Sequence, residues 1–411
     1  MASEALTRVL PGARIEDLAR LSGGASRETW SFTADGRELI LRRDPPGRPG
    51  VPGSMRLEAD AMRACGRAGL RVPEVLLDDD GTLLGTAGLV MARVPGETLA
   101  RRILRDDTYA KARNVLAGQL GEFLAGLHAL DPAEVPGLAE VDTLAQYWER
   151  YQAMDDHSPT FDKAYEWLAA NRPASTERVI VHGDLRLGNV IVDGSGLAAA
   201  IDWELVHLGD PLEDLGWLCV KAWRFGSPLP VAGVGELDDL FTAYESVSGR
   251  AVDRDAFHWW LVMNTLKWGI GCMGQASVHL TGQVRSVELA AIGRRVCEQE
   301  WDLVELLAPE EWAAARAEEA PMPALDTPGV HGRPTARELL EALREFLTDD
   351  VMVHTEGRLQ FHARVAANVV AIVERELAEP APADSGGSDW ASLARTVRHR
   401  LSVANPKHLT R

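Results

Sequence analysis

Residues 179–204 read "VIVHGDLRLGNVIVDGSGLAAAIDWE". No other stretch of the chain limits its fold as tightly. Apolar runs at 179–181, 190–192 and 197–201 are too short for helices and are divided by turn residues, so they read as strands. Asp184, Asn189 and Asp202 stand at the ends of these runs or in the turns between them. Single Asp or Asn residues cap turns readily, and for Asp193 and Asp210 that reading is as good as any other. A fixed set of three asks for more than a turn.

Carboxylate and amide oxygens are hard ligands. They suit Mg²⁺, which takes one or two protein carboxylates and leaves its other positions to water and phosphate. A hairpin that brings Asn189 beside Asp202 makes such a site. Asp184, in the same loop but not needed for a metal, can accept a proton from a substrate hydroxyl. Phosphoryl transfer needs little beyond a metal clamp, positive charge on the phosphates and an oriented nucleophile.

The rest of the chain sets the frame. At 411 residues it is long for one domain, and two or three units are expected. Its formal charge of −18 argues against nucleic-acid or membrane-surface binding, both of which need basic patches. The same charge permits a cationic substrate, although keeping the protein soluble is the plainer reason for it. No apolar run approaches 18 residues, so no membrane span is expected. "MASEALTRVLPGARIEDLAR" has no signal-peptide core. Cys65, Cys219, Cys272 and Cys297 are scattered without ligand spacing and read as free thiols of a cytoplasmic protein.

Along the chain, residues 13–21 have helical spacing in Ile15, Leu18 and Leu21. "ETWSFTADGRELILRR" reads as a hairpin closed by "ADG", and "DPPGRPGVPG" as a loop that proline keeps out of helix. A helix is expected over 54–69 and a strand over 87–92. From residue 107 the pattern turns helical, over 110–130, 211–224, 235–248, 254–280 and 283–307. Residues 317–334 shift toward Pro and Gly and read as a linker, followed by helices around Leu339–Leu347, Phe361–Val373 and 390–403. The expected division is a nucleotide-covering part at 1–92, a larger helical part at 93–310, a linker at 311–333 and an accessory helical part at 334–411.

"HGDLRLGN" followed by "IDWE" and "GDPLEDLGWL" resembles the catalytic loop and metal motif of the aminoglycoside phosphotransferase family. It is similar to the paired H-R-D-x-x-x-x-N and D-F-G motifs of protein kinases. The resemblance implies an α+β, two-lobed protein-kinase-like fold with a small β-rich N-lobe, a larger helical C-lobe and a C-terminal helical extension. It makes Asp184 the catalytic base, Asn189 and Asp202 the Mg²⁺ ligands, and Arg186 a phosphate contact. Glu204 takes the place of the glycine of D-F-G. The first Asp of "GDPLEDLGWL", Asp210, would order the catalytic segment, and His182 would pack and hold the loop without acting as acid or base.

The same resemblance makes "LSGGASRETWSF" the phosphate-covering loop, with Gly24, Ala25 and Ser26 offering backbone N–H groups. Arg42 replaces the usual lysine; Arg43 should face the other side of its strand. Glu58 is the expected partner of Arg42. Adenine would bond around Met91 and Arg93. ATP is the implied nucleotide, with GTP as the alternative. In "FHWWLVMNTLKWGIGCMGQA" the aromatic and Met content reads first as core, but Trp260, Asn264, Trp268 and Gln275 are candidates for an acceptor pocket.

"GIGCMG" at 269–274 matches G-x-G-x-x-G inside a helical run with no strand before it, so it reads as close helix packing. "LRRDPPG" and "HGDLRLGNVIVD" look closest to the branch linked to acyl-CoA dehydrogenases. Hydroxyacyl-CoA therefore joins aminoglycoside-like amines and other metabolites as an acceptor class. Residues 331–411 resemble a helical domain of unknown function, which offers packing, a homodimer contact or a partner site. A silent nucleotide-binding regulator is the alternative function. A protein kinase is disfavoured because no A-P-E segment follows Asp202.

Overall fold

A computed structural model of the chain describes residues 2–21, 27–46, 50–174, 177–318, 334–379 and 387–411. Within 13–21 it contains a strand, β1 (Ile15–Arg20), where the spacing predicts a helix. The reason is a bulge. The pairing of β1 with the next strand slips between Glu16 and Ala19, and Asp17 takes a left-handed φ of 52°. One extra residue puts Ile15 and Leu18 on the same face despite their odd spacing, and both pack on the apolar cluster that holds Phe32 and Leu41.

β2 (Glu28–Ala34) and β3 (Arg37–Arg43) form the expected hairpin. Asp35 and Gly36 close it with φ of 49° and 83°, the double left-handed turn that matches strand twist. β4 (Val75–Asp79) and β5 (Gly88–Ala92) complete an antiparallel five-stranded sheet in the order β1-β2-β3-β5-β4. Two smaller ribbons follow. β6 (Val179–Val181) pairs with β9 (His207–Gly209), and β7 (Val190–Asp193) with β8 (Gly196–Ala200).

The described residues fall into two compact units that depart from the sequence division. The first comprises Met1–Thr143 and Pro173–Leu261. Its core runs without a break from Ile40, Leu89 and Met91 on the sheet through Met55 and Met62 of helix Ser54–Arg67. From there it passes Leu116, Leu120 and Leu124 of helix Ala110–His128 to Val190, Ala200 and Trp203. The sheet and the two ribbons are thereby fixed to one another, which is what a site assembled from both requires.

The second unit comprises Leu144–Arg172 and Val262–Arg411. The excursion 144–172 joins it through buried contacts: Ser158 Oγ donates to Glu300 Oε1 at 2.6 Å, and a Cβ on Gly269 would come within 2.4 Å of the Phe161 ring. Close packing is thus what Gly269 of "GIGCMG" serves. Residues 311–317, expected in the linker, belong to helix Pro309–Ala317; its proline start and alanine run favour helix, and Trp312 packs on Trp301. Residues 319–333 lie outside the described residues. Helices Ala336–Glu345, Gly357–Ala378 and Trp390–Ala404 follow.

Cys65, Cys219, Cys272 and Cys297 are free and buried, and burial pushes each thiol up to about 12. Among the described residues no helix is long and apolar enough to cross a membrane.

Candidate phosphoryl-transfer site

Leu185 and Leu187 are fully buried. Asp184 and Arg186, which alternate with them, are only half-buried, and the turn closed by the Asn189 N–H on the Arg186 carbonyl at 2.9 Å follows. The β7–β8 hairpin does the rest. It starts just after Asn189 and ends just before Asp202, and the N–H of Ile201 donates to the carbonyl of Asn189 at 2.9 Å. Two positions 13 apart in sequence thus become neighbours. Asp202 itself adopts φ 69°, a left-handed conformation that Asp tolerates.

Asp184 is held at three points. Its Oδ1 accepts from the indole N–H of Trp217 at 2.8 Å and from Nε of Arg186 at 3.1 Å. Its Oδ2 accepts from Nδ2 of Asn189 at 2.6 Å. Asn189 also donates to the Asp184 carbonyl at 2.9 Å. With its amide nitrogen so used, the Asn189 side chain has its oxygen left for a metal. The Arg186 guanidinium lies 4.5 Å from the ring centre of Trp223, a cation–π contact that limits its swing.

The loop is anchored from below by Asp214, which the sequence reading missed. Its oxygens accept the backbone N–H groups of His182 at 2.8 Å and Gly183 at 2.9 Å, and His128 Nε2 lies 3.4 Å away. Burial opposes the Asp214 charge, but His128, His182 and the Gly183 amide outweigh it and hold its pKa below the ordinary carboxylate value. Asp210, expected in this role, caps helix Pro211–Leu218 instead by accepting from Leu212 N–H at 2.8 Å. It stands four residues too early to reach the loop. Asp193 likewise caps its turn, accepting from Ser195 N and Oγ at 2.7 Å.

Gly183 has φ 79°, and a Cβ there would stand 2.7 Å from the Leu205 carbonyl. His182 is buried and structural. Its Nδ1 accepts from Asp184 N–H at 3.2 Å, so Nε2 carries the proton toward the Ile201 carbonyl, also at 3.2 Å. Burial lowers its pKa despite three nearby carboxylates.

Arg42, on β3, spans the sheet and the ribbons. One arm of its guanidinium meets Glu58 Oε2 at 2.9 Å, and the other meets Asp202 Oδ1 at 2.5 Å. Glu204 Oε2 is 3.8 Å away. Burial works against the Arg42 charge, but Asp202, Glu58 and Glu204 more than offset it and raise its pKa. Glu58 is 1% exposed, and burial pushes it up to about 7 against the pull of Arg42 and Arg27. Arg43 turns away to Glu28 at 3.0 Å, as the strand alternation demands. Glu204, a candidate for the acceptor, faces this cation cluster. Arg27, not anticipated from sequence, bonds Asp44, Ser54 and Glu58.

Whether a divalent metal fits can be tested on these side chains. Two guanidiniums, Arg27 and Arg42, face four carboxylates: Asp44, Glu58, Asp202 and Glu204. The excess negative charge, with the open oxygen of Asn189 and the 31% exposed carboxylate of Asp202, suits a hard divalent ion. No cluster of three or more His, Cys, Asp or Glu able to hold a metal occurs among the described residues.

Other candidates fare differently. Gly24, Ala25 and Ser26 lie outside the described residues. Met91 is buried in β5, paired with Ile40 and Val75. The amides of Ala92 and Arg93 already donate to Glu74 and Glu38 carbonyls at 2.8 and 3.1 Å. The Arg93 N–H is thus engaged in sheet bonding that continues one residue past β5. Trp260, Asn264, Trp268 and Gln275 all lie on helix Arg254–Leu280. Trp260 and Asn264 are buried, and Trp268 and Gln275 half-buried. Trp260 is in the first unit and the other three are in the second.

A family profile described as phosphotransferase enzyme family matches residues 17–260, and one for a domain of unknown function matches 353–386. Acyl-CoA dehydrogenase family member 10 of Mus musculus is 25% identical over 318 residues, covering 70% of this chain and 29% of the mouse protein. Viomycin phosphotransferase of Streptomyces vinaceus is 29% identical over 229 residues, covering 51% of this chain and 75% of that protein. The chain spans about a third of the length of the acyl-CoA dehydrogenase relatives it matches. A thermostable mutant of an aminoglycoside phosphotransferase, solved with AMP-PNP and hygromycin B, aligns with TM-score 0.53 at 19% identity. That alignment covers 75% of this chain and 99% of the other. The likeness is one of fold, an α+β kinase-like arrangement.

Proposed function

Because the chain belongs to the phosphotransferase enzyme family, we propose that it moves the γ-phosphoryl group of ATP to a hydroxyl of a small molecule, with Mg²⁺. The observations that support this are the Asn189 bond to Asp184, the Ile201 N–H bond to the Asn189 carbonyl that brings Asp202 next to that loop, and Arg42 reaching Asp202 from the sheet.

Asp184 would orient the acceptor hydroxyl and take its proton. Oδ1 already accepts two donors and Oδ2 one, so Oδ2 keeps a lone pair for the incoming O–H. Asn189 and Asp202 would hold Mg²⁺. When bound, that ion neutralises charge on the β- and γ-phosphates. Arg42 and Arg186 supply fixed positive charge where the transferring group carries negative charge.

Hydroxyacyl-CoA and cationic amine acceptors are the two classes to test first. The first follows from relatives named for acyl-CoA dehydrogenase. The second follows from a relative named for viomycin and from the net charge of −18. A silent nucleotide-binding regulator is the second reading, favoured by the ion pair that Arg42 makes with Asp202, a proposed metal ligand. A mass-spectrometric screen of hydroxylated metabolites with ATP and with GTP separates the two. A mass gain of one phosphoryl group on any acceptor supports the kinase. Nucleotide binding without turnover on every acceptor supports the regulator.

A further inference from the structure

Arg27 is the residue just before β2, and its side chain is 9% exposed. It bonds Asp44 Oδ1, Ser54 Oγ at 3.1 Å and Glu58 Oε1 at 3.3 Å, and its Nε lies 3.9 Å from Glu204 Oε2. Asp44 is itself fixed: its Oδ2 accepts the Gly50 N–H at 2.7 Å, and its carbonyl accepts Thr86 Oγ1 at 2.9 Å. Glu58 is therefore gripped on both oxygens, by Arg27 on Oε1 and by Arg42 on Oε2.

This double grip exceeds what an ion pair on a surface hairpin needs. On the reading above, Asp202 turns to a metal and the second arm of Arg42 turns to phosphate. Glu58, at 1% exposure, would then be held by a guanidinium whose other arm has changed partner. A buried carboxylate without a full set of partners is costly, and a loosened Glu58 would let Arg42 drift. Arg27 touches Glu58 from an anchor independent of Asp202. We propose that Arg27 is a positioning residue for the nucleotide: it fixes Glu58 and, through Glu58, the Arg42 guanidinium. The proposal rests on the phosphotransferase reading of the same site.

Titration of the full chain with Mg-ATP, by calorimetry, tests it on wild type, Arg27→Met, Arg42→Met and the double variant. Arg27→Met is expected to weaken Mg-ATP binding roughly tenfold, the loss of one charged contact acting through a neighbour. The double variant is expected to bind no more weakly than Arg42→Met alone. If an acceptor turns over, KM for ATP rises in Arg27→Met while KM for the acceptor stays. Should Arg27→Met fail to fold, Arg27→Lys keeps a charge for Asp44 but cannot fork to Glu58; it is expected to fold and still bind Mg-ATP more weakly. Wild-type affinity in folded Arg27→Met or Arg27→Lys overturns the role of Arg27 alone. Losses that multiply in the double variant overturn it too, since Arg27 would then act independently of Arg42. A wild-type chain that binds no nucleotide overturns the phosphotransferase reading and this proposal together.

Discussion

The indole N–H of Trp217 donates to Oδ1 of Asp184 at 2.8 Å, from a helix that begins 27 residues after Asp184. Trp217 is 3% exposed and packs at a tilt, ring centres 5.2 Å apart, on Trp223, whose ring carries the Arg186 guanidinium. Two tryptophans thus set the orientation of the proposed base and of the cation beside it. A carboxylate with Oδ1 filled and Oδ2 half-filled can take a hydroxyl from one direction only.

Trp217→Phe keeps an aromatic ring and removes the donor. A hydrogen bond to a charged group is worth about 1.5–3 kcal/mol, so turnover is expected to fall roughly 10- to 100-fold. Nucleotide affinity should stay, because the bond removed orients Asp184, the proposed base, and not the proposed metal or phosphate ligands. Steady-state kinetics with calorimetric Mg-ATP titration check this. Unchanged turnover would remove Trp217 from the positioning of Asp184.

Asp214→Ala strips the acceptor from two backbone N–H groups of the loop. Leaving buried donors unpaired costs about 1–3 kcal/mol each, so a loss on the order of 3 kcal/mol is expected in urea unfolding. Asp210→Ala removes only a helix cap and is expected to cost about 1 kcal/mol. The reverse order would restore Asp210 to the role the sequence assigns it.

Two buried groups give the folding stability a pH dependence with opposing signs. His182 is held below its ordinary value. As pH falls through about 6.5, unfolded chains take a proton there that folded chains do not, and stability drops. Glu58 is raised to about 7. Folded chains therefore hold its proton where unfolded chains have lost it, and its contribution fades as pH rises through about 7. Glu58→Gln removes the second effect alone. Relative to wild type, this variant should gain stability as pH goes from 5 to 8 in chemical denaturation. A constant difference across that range would contradict the assignment for Glu58.

Much of the site was legible because its signal is local. The motif that carries Asp184, Asn189 and Asp202, and a hairpin whose ends are Asn189 and Asp202, are short-range facts that residues 179–204 contain in full. The choice between Asp210 and Asp214 was not, since both lie in one helix start and only the packing of that helix under the loop selects the second. Arg27 was hidden because its partners Asp44, Ser54 and Glu58 come together only after β2, β3 and helix Ser54–Arg67 assemble. Ile15 and Leu18 were misread because a bulge converts odd spacing into one face, and nothing short of the pairing partner reveals a bulge. The excursion 144–172 into the second unit rests on contacts such as Ser158 to Glu300, which are 142 residues apart.

The central claim is that Asp184 takes the proton of an acceptor hydroxyl beside a nucleotide held by separate groups. Asp184→Asn, compared with wild type for phosphoryl transfer to the acceptor found in the screen and for Mg-ATP affinity, tests it most directly. The account predicts turnover lower by roughly 10²–10⁴-fold with nucleotide affinity within a few-fold of wild type. Phosphorylation at the wild-type rate by Asp184→Asn would contradict it.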